Sequence, residues 1–268
     1  MLRRTPRELP PPFQQEGASM SDEQQSRPRA ELMLDYGYGS HVGLRRELNE
    51  DSSVVTDELF AVADGMGGHE AGEVASSLAV QALAEGWERA RGRIDDAAIR
   101  EALHEADARI RRETDSKAGT TLTGAVVAEF EGRCEWLVFN IGDSRTYVLA
   151  DGRLRQLTRD HSQVQEMYES GMITAAEMPH HPNRNVITRA LGAGEAFSGE
   201  FTAVPVEVGQ RLLVCSDGLT GEVSDEEIAR ILAAGRSAQE TVDWLIHQAL
   251  RGGGRDNVTV IVVDVHAA

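Results

Sequence analysis

The chain has 268 residues, 41% hydrophobic and 26% charged, a balance that supports a substantial buried core. Its 27 basic and 44 acidic residues give a net charge of −17, and a surface so acidic repels phosphodiester backbones and anionic lipid, which argues against nucleic acid and membranes as partners. Lys117 is the sole lysine and follows Ser116, so no Gly-Lys-Ser/Thr phosphate loop is available. Cys134 and Cys215 form neither a disulfide framework nor a paired zinc motif, and both sit in apolar runs that predict buried, inert thiols. A cytoplasmic monomer is the resulting expectation.

Residues 1–30, with Pro10-Pro11-Pro12 and scattered polar side chains, read as a disordered extension, and Met20 marks an alternative start. From there to the end no long linker interrupts the pattern, so residues 31–268 read as one domain. Ser52–Val55 and Leu59–Ala63, joined by Thr56-Asp57-Glu58, predict a hairpin. A first helix carries Val74, Leu78, Ala82 and Trp87 at helical spacing, with Ala75 and Ala79 small enough for close packing. A second carries Ile99, Leu103, Ala106 and Ile110. Strands follow over 120–130, 134–141 and 145–150, with turns at Glu131-Gly132 and Asp151-Gly152. Residues 162–182 become irregularly helical, as an insertion over the sheet surface would. Strands resume at 201–208 and 211–215. Two helices then open with capping boxes, Ser224 with Glu227 and Ser237 with Glu240, before a last strand over 258–265. Helix pairs between blocks of strands predict an α+β fold, a four-layer α/β/β/α sandwich of two antiparallel sheets with helices outside.

The aspartates stand at strand ends. Asp64, Asp143 and Asp217 close apolar runs, whereas Asp51 and Asp256 precede them. A hairpin brings Asp51 beside Asp64, and an antiparallel pair would bring Asp217 beside Asp256. Carboxylates converging in this way raise one another's proton affinity, and a hard divalent cation, Mg²⁺ or Mn²⁺ rather than zinc, relieves the repulsion. The glycine-rich stretch from Asp64 to Gly72 could let a backbone carbonyl approach such an ion. It is no dinucleotide fingerprint, because Glu70 stands where the third glycine belongs. Thr146 spoils the GxSxG pattern around Ser144, Glu73 spoils HExxH after His69, and neither cysteine has an arginine six residues on.

These motifs, in order, resemble the metal-dependent serine/threonine protein phosphatases of type 2C in their bacterial form. The resemblance rests on Arg46–Asp51, Val62–His69, Gly119–Thr121, Asn140–Arg145, Cys215–Leu219 and Arg255–Thr259, and spans about residues 34–265. It implies hydrolysis of phosphoserine and phosphothreonine by direct attack of a metal-bridging water. Asp64 would bridge two Mn²⁺ or Mg²⁺ ions, with Gly65 on one through its carbonyl, and Asp217 and Asp256 on the other. Asp143 would share a third, weaker ion with Asp217. Asp51, with Glu50 beside it, would act close in through bound water, Arg46 would grip the phosphate, and His69 would be the proton donor. Residues 162–188 correspond to the flap, with Asn185 near the third ion. His180 and His181 read as solvent-facing, and Arg189 as a structural ion pair. The implied partners are phosphorylated proteins and an opposing serine/threonine kinase. A catalytically weak phosphoprotein-binding regulator and a two-metal phosphodiesterase are the alternatives.

Overall fold

Residues 32–67, 71–90, 95–193 and 199–268 are described in a computed structural model of the chain. The first strand, β1 (Leu32–His41), was not evident from the sequence. It lies antiparallel to the last, β11 (Val258–Ala267), with Leu32 opposite Ala267 and His41 opposite Val258. Gly37 and Gly39 interrupt the apolar alternation that would have marked it, and its supply of partners comes from a segment more than 200 residues away.

Two antiparallel sheets account for the described strands. One runs β1–β11–β10–β7–β8, with β10 at Arg211–Cys215, β7 at Arg145–Ala150 and β8 at Arg153–Gln156. The other runs β2–β3–β5–β6–β9, with β2 at Asp51–Val55, β3 at Leu59–Gly67, β5 at Leu122–Phe130, β6 at Arg133–Ile141 and β9 at Glu200–Pro205. A short β4 (Ala118–Thr120) pairs with the end of β3. The strand expected over 120–130 is therefore broken at Thr121, and Gly65–Gly67 of the glycine-rich stretch continue β3 in extended form beyond the predicted end at Ala63. The predicted turns hold: Glu131-Gly132 and Asp151-Gly152 both adopt positive φ and close the β5–β6 and β7–β8 hairpins.

Three apolar clusters sort the strand residues by parity, and together they define four layers. Val258, Val260 and Val262 of β11 face outward with Leu213 and Cys215, while Ile261, Val263 and Val265 face inward with Leu212 and Val214. The inner layer receives Phe60 and Val62 from β3 and Trp136 and Val138 from β6. Leu59, Ala61, Leu137, Phe139 and Ile141 project to the other outer face. Period-two alternation with both faces apolar is what a strand sandwiched between a sheet and a helix layer requires. Each large side chain so enclosed contributes about 1.5–3 kcal/mol.

The outer layers are helical. Helices α1 (Ala71–Arg89) and α2 (Asp96–Thr114) cover one sheet; α4 (Asp217–Thr220), α5 (Asp225–Leu232) and α6 (Ala238–Gly252) cover the other. On α2 the predicted stripe is buried in full. On α1 the stripe is shifted: Val74 is exposed, and Gly72, Ala75, Ser76, Ala79, Ala82, Leu83 and Gly86 form the buried face. Small residues win there because they let the helix lie close on the sheet. Trp244 of α6 is exposed under the Arg236 guanidinium at 4.9 Å. Ser237 and Glu240 form the complete capping box, whereas Ser224 caps the Glu227 amide and the Glu227 carboxylate turns to Arg230. Residues 162–188 hold α3 (Gln163–Glu169) and a 3₁₀ turn at Met178–His180. The extension expected over 1–30 lies outside the described residues.

Candidate metal centre

The strand pairing builds the site. Asp51 opens β2 directly opposite Asp64 of β3, so both carboxylates stand on one rim of that sheet. On the facing sheet β10 and β11 are antiparallel, which brings Asp217, just past β10, to the rim where Asp256 precedes β11. Asp143 lies in the turn between β6 and β7 at the same rim. Asp217 and Asp256 line a cleft of about 540 Å³, and Asp217 and Asp143 line an adjoining one of about 590 Å³; Asn185 borders both.

Backbone and hydroxyl contacts fix these groups. The Asp64 carbonyl accepts hydrogen bonds from the Thr121 amide (2.9 Å) and the Thr120 hydroxyl (2.9 Å), and the Asp64 amide donates to Thr121 Oγ1 (3.1 Å). Thr121 Oγ1 in turn meets Ser144 Oγ at 2.8 Å, joining the Asp64 strand to the Asp143 turn. Gly65 has no room for a side chain: a Cβ there would fall 2.1 Å from the Gly72 carbonyl oxygen and 2.7 Å from that of Glu50. Asp51 Oδ2 accepts from Thr259 Oγ1 (2.7 Å) and Ser216 Oγ (2.9 Å).

Arg46 and Asp256 stand as a pair, Nη2 to Oδ2 at 2.8 Å. The 42–50 loop that carries Arg46 is shaped by buried Asn257. Its Oδ1 accepts the Glu50 amide, and its Nδ2 donates to the Val42 and Leu48 carbonyls, all at 2.9 Å. Asn257, Ser216, Thr259 and Thr120 were quoted within sequence motifs but given no task. Each is an ordinary polar residue next to an aspartate, and its role depends on a partner distant in sequence. Glu50 contributes its backbone to this loop.

The electrostatics call for cations. Burial, and then the negative neighbours Asp217 and Asp256, push the Asp51 carboxyl up to about 7. Burial and Asp217 push Asp143 up to about 8. Asp64 and Asp217 are raised as well, again chiefly by desolvation, with Asp51 and Asp256 respectively as the negative neighbours that repel most. Asp51 Oδ1 and Asp217 Oδ1 are buried without a hydrogen-bond partner. Buried oxygens lacking donors, in a purely oxygen donor set, fit hard divalent cations. Among the described residues, Asp35, Asp264 and His266 form a trio with ligand atoms within 4.8 Å of one another, at the other end of β11. Both Asp264 oxygens there are already taken by Arg211, at 2.5 and 2.7 Å.

Residues 45–250 match the family model for Protein phosphatase 2C. The chain belongs to the protein phosphatase 2C family. It is 45% identical over 242 residues to the serine/threonine protein phosphatase PstP of Mycobacterium tuberculosis, covering 88% of this chain and 46% of PstP, so it spans about half the length of that relative. It is 36% identical over 236 residues to the serine/threonine phosphatase stp of Listeria monocytogenes, covering 83% of this chain and 92% of stp. A solved catalytic domain of PstP in complex with two manganese ions superposes with a TM-score of 0.76 at 41% identity, covering 88% of this chain and 99% of that one. The sandwich of two sheets is thus a 2C phosphatase fold, as expected.

Of the residues singled out in the sequence, Arg46, Asp51, Asp64, Gly65, Asp143, Asp217 and Asp256 meet at this rim. His69 lies outside the described residues. His180 is exposed and borders the cleft with Asp217, while His181 Nδ1 accepts the Asn183 amide at 3.1 Å. Arg189 lies against Glu200 at 3.3 Å, in the ion-pair role expected of it.

Proposed function

We propose that this chain is a Mn²⁺- or Mg²⁺-dependent phosphatase that removes phosphate from phosphoserine and phosphothreonine in proteins. The observation that carries the reading is the meeting of five aspartates from five separate segments at one rim, with Arg46 beside them. Asp64, Gly65, Asp217 and Asp256 would hold two ions, and Asp143 with Asp217 a third. Bound there, the ions supply a water of lowered pKa and neutralise charge on the phosphoryl oxygens.

The chain's own groups do the remaining work. Arg46 is a guanidinium on a loop tied down by Asn257, able to engage two phosphate oxygens side by side. Asp51 is oriented through Oδ2 by two hydroxyls, which leaves Oδ1 to accept a proton from a water in the site. His69 is assigned as the donor to the leaving serine or threonine oxygen. No cysteine takes part, because both thiols are buried and burial pushes Cys215 up to about 12. Asn185, on the 162–188 segment, borders the clefts where a substrate chain would lie. We assign residues 31–268 to one catalytic unit, acting in the cytoplasm as a monomer on phosphoproteins and opposing a serine/threonine kinase. Among the described residues no helix is long and apolar enough to cross a membrane.

The test is hydrolysis of an aryl phosphate and of phosphoserine and phosphothreonine peptides with Mn²⁺, with Mg²⁺ and with chelator. Turnover should need the cation and vanish in Asp64→Ala and in Asp217→Ala. Turnover that persists in both variants without metal would overturn the reading, and faster cleavage of an aryl diester than of the monoester would replace it with a phosphodiesterase.

A further inference from the structure

His161 is fully buried, and no step above uses it. It sits where residues 162–188 leave the sandwich, and its main chain bonds in two directions. Its amide donates to the Gly142 carbonyl (2.8 Å), and its carbonyl accepts the Thr188 amide (2.8 Å) at the other root of the segment. The roots continue as a narrow ladder, with Ser162 bridged to Ile187 and the Gln163 amide donating to the Val186 carbonyl at 2.8 Å.

The ring adds a third link. The Gly142 amide donates to Nδ1 at 3.1 Å, so Nδ1 carries no proton and the single ring proton of the neutral imidazole is on Nε2. Nε2 lies 3.2 Å from Glu200 Oε1, which accepts that proton, and 3.2 Å from Arg189 Nη1, which cannot. Burial and the neighbouring Arg189 both hold the imidazole in its neutral form. Gly142 therefore exchanges two hydrogen bonds with one residue, at φ +105°, where a Cβ would fall 2.5 Å from Thr121. The next residue is Asp143. Asn140 Nδ2 closes the same joint, donating to the Gly142 carbonyl (3.1 Å) and the Arg159 carbonyl (2.9 Å).

We propose that His161 is a positioning residue that locks both roots of the 162–188 segment onto the Gly142–Asp143 turn, so that the segment and Asp143 move as one unit. A substrate chain that shifts the segment would then shift Asp143, and a cation held by Asp143 would restrain the segment. The inference rests on the assignment of Asp143 as a cation ligand, and the two can be separated by experiment.

The test compares His161→Leu, His161→Asn and His161→Gln in the full chain. Asparagine places its amide group near the position of Nδ1 and can accept the Gly142 amide, whereas glutamine reaches the position of Nε2 and leucine offers no acceptor. Trypsin cleavage after exposed Arg184, in the presence of chelator, reads the lock without any activity. Cleavage should accelerate in the Leu and Gln variants and return toward wild type in Asn. The Mn²⁺ concentration for half-maximal hydrolysis of an aryl phosphate should rise about tenfold or more in Leu and Gln, with Asn nearer to wild type, as for other residues that orient a ligand. Wild-type cleavage and Mn²⁺ dependence in all three variants would overturn the proposal, as would equal losses in Asn and Gln. If His161→Leu does not fold, the contrast between Asn and Gln still decides. Loss of the lock with unchanged Mn²⁺ dependence would overturn the link to Asp143 while leaving the phosphatase reading intact.

Discussion

Asp51→Asn exchanges one atom type at the most enclosed carboxylate of the rim. The folded protein holds the Asp51 proton up to about 7, whereas a solvated aspartate releases it near 3.8. The folded state therefore binds more protons than the unfolded chain across that interval, and without cations stability falls as pH rises through it. The interval spans roughly three pH units at about 1.4 kcal/mol each, an upper bound near 4 kcal/mol; because Asp217 and Asp256 share the repulsion, ~2–4 kcal/mol is the expected size. Asparagine keeps an oxygen for the Ser216 and Thr259 hydroxyls and puts an N–H donor where Oδ1 has no partner. The chelated variant should thus melt higher than chelated wild type at about pH 8, by roughly 5–15 °C for a domain of this size, with the difference shrinking toward about pH 4. Added Mn²⁺ should stabilise wild type by mass action and the variant much less, reversing the order. Differential scanning calorimetry with chelator and with Mn²⁺, at both ends of that pH range, reads all of this. A chelated variant no more stable than wild type at the alkaline end would refute the electrostatic account of the rim.

Gly65→Ala would push a methyl group to 2.1 Å from the Gly72 carbonyl oxygen, and the β2–β3 rim should lose about 2–3 kcal/mol in urea unfolding. Asn257→Ala removes the acceptor for the Glu50 amide and the donor for two carbonyls, costing about 1–3 kcal/mol. Because that loop carries Arg46, its KM for an aryl phosphate should rise more than its kcat falls, as steady-state kinetics would show. Arg145→Met leaves buried Asp160 without its bidentate partner and should cost about 3–5 kcal/mol, measured as a shift in the urea midpoint.

Some of this molecule was legible in local pattern. The Ser237–Glu240 capping box, the α2 stripe and the two left-handed hairpin turns depend on residues a few positions apart, and each appears as read. That Asp51 and Asp64 are neighbours was legible too, because a short hairpin brings the start of one strand beside the end of the next. The register itself, Val55 opposite Phe60, leaves four residues between the paired ends, one more than the three-residue turn read from the sequence. Elsewhere, local pattern misled. Val74 carries more apolar surface than its neighbours, yet α1 turns small residues to the sheet and leaves Val74 exposed. Strand β8 escaped notice for want of apolar residues, since Arg153–Gln156 owes its extended form to pairing with β7.

What the sequence determined by itself was the set of strands and helices with strong short-range signals, and the presence of aspartates at strand ends. Only the tertiary structure decided how those aspartates are held. Asp51 is oriented by Ser216 and Thr259, 165 and 208 residues away, Asn257 shapes the Arg46 loop across a similar distance, and β1 exists as a strand through its pairing with β11. A hydrogen bond has a direction and a range of about 3 Å, so its donor can be recognised only once the chain has brought it there.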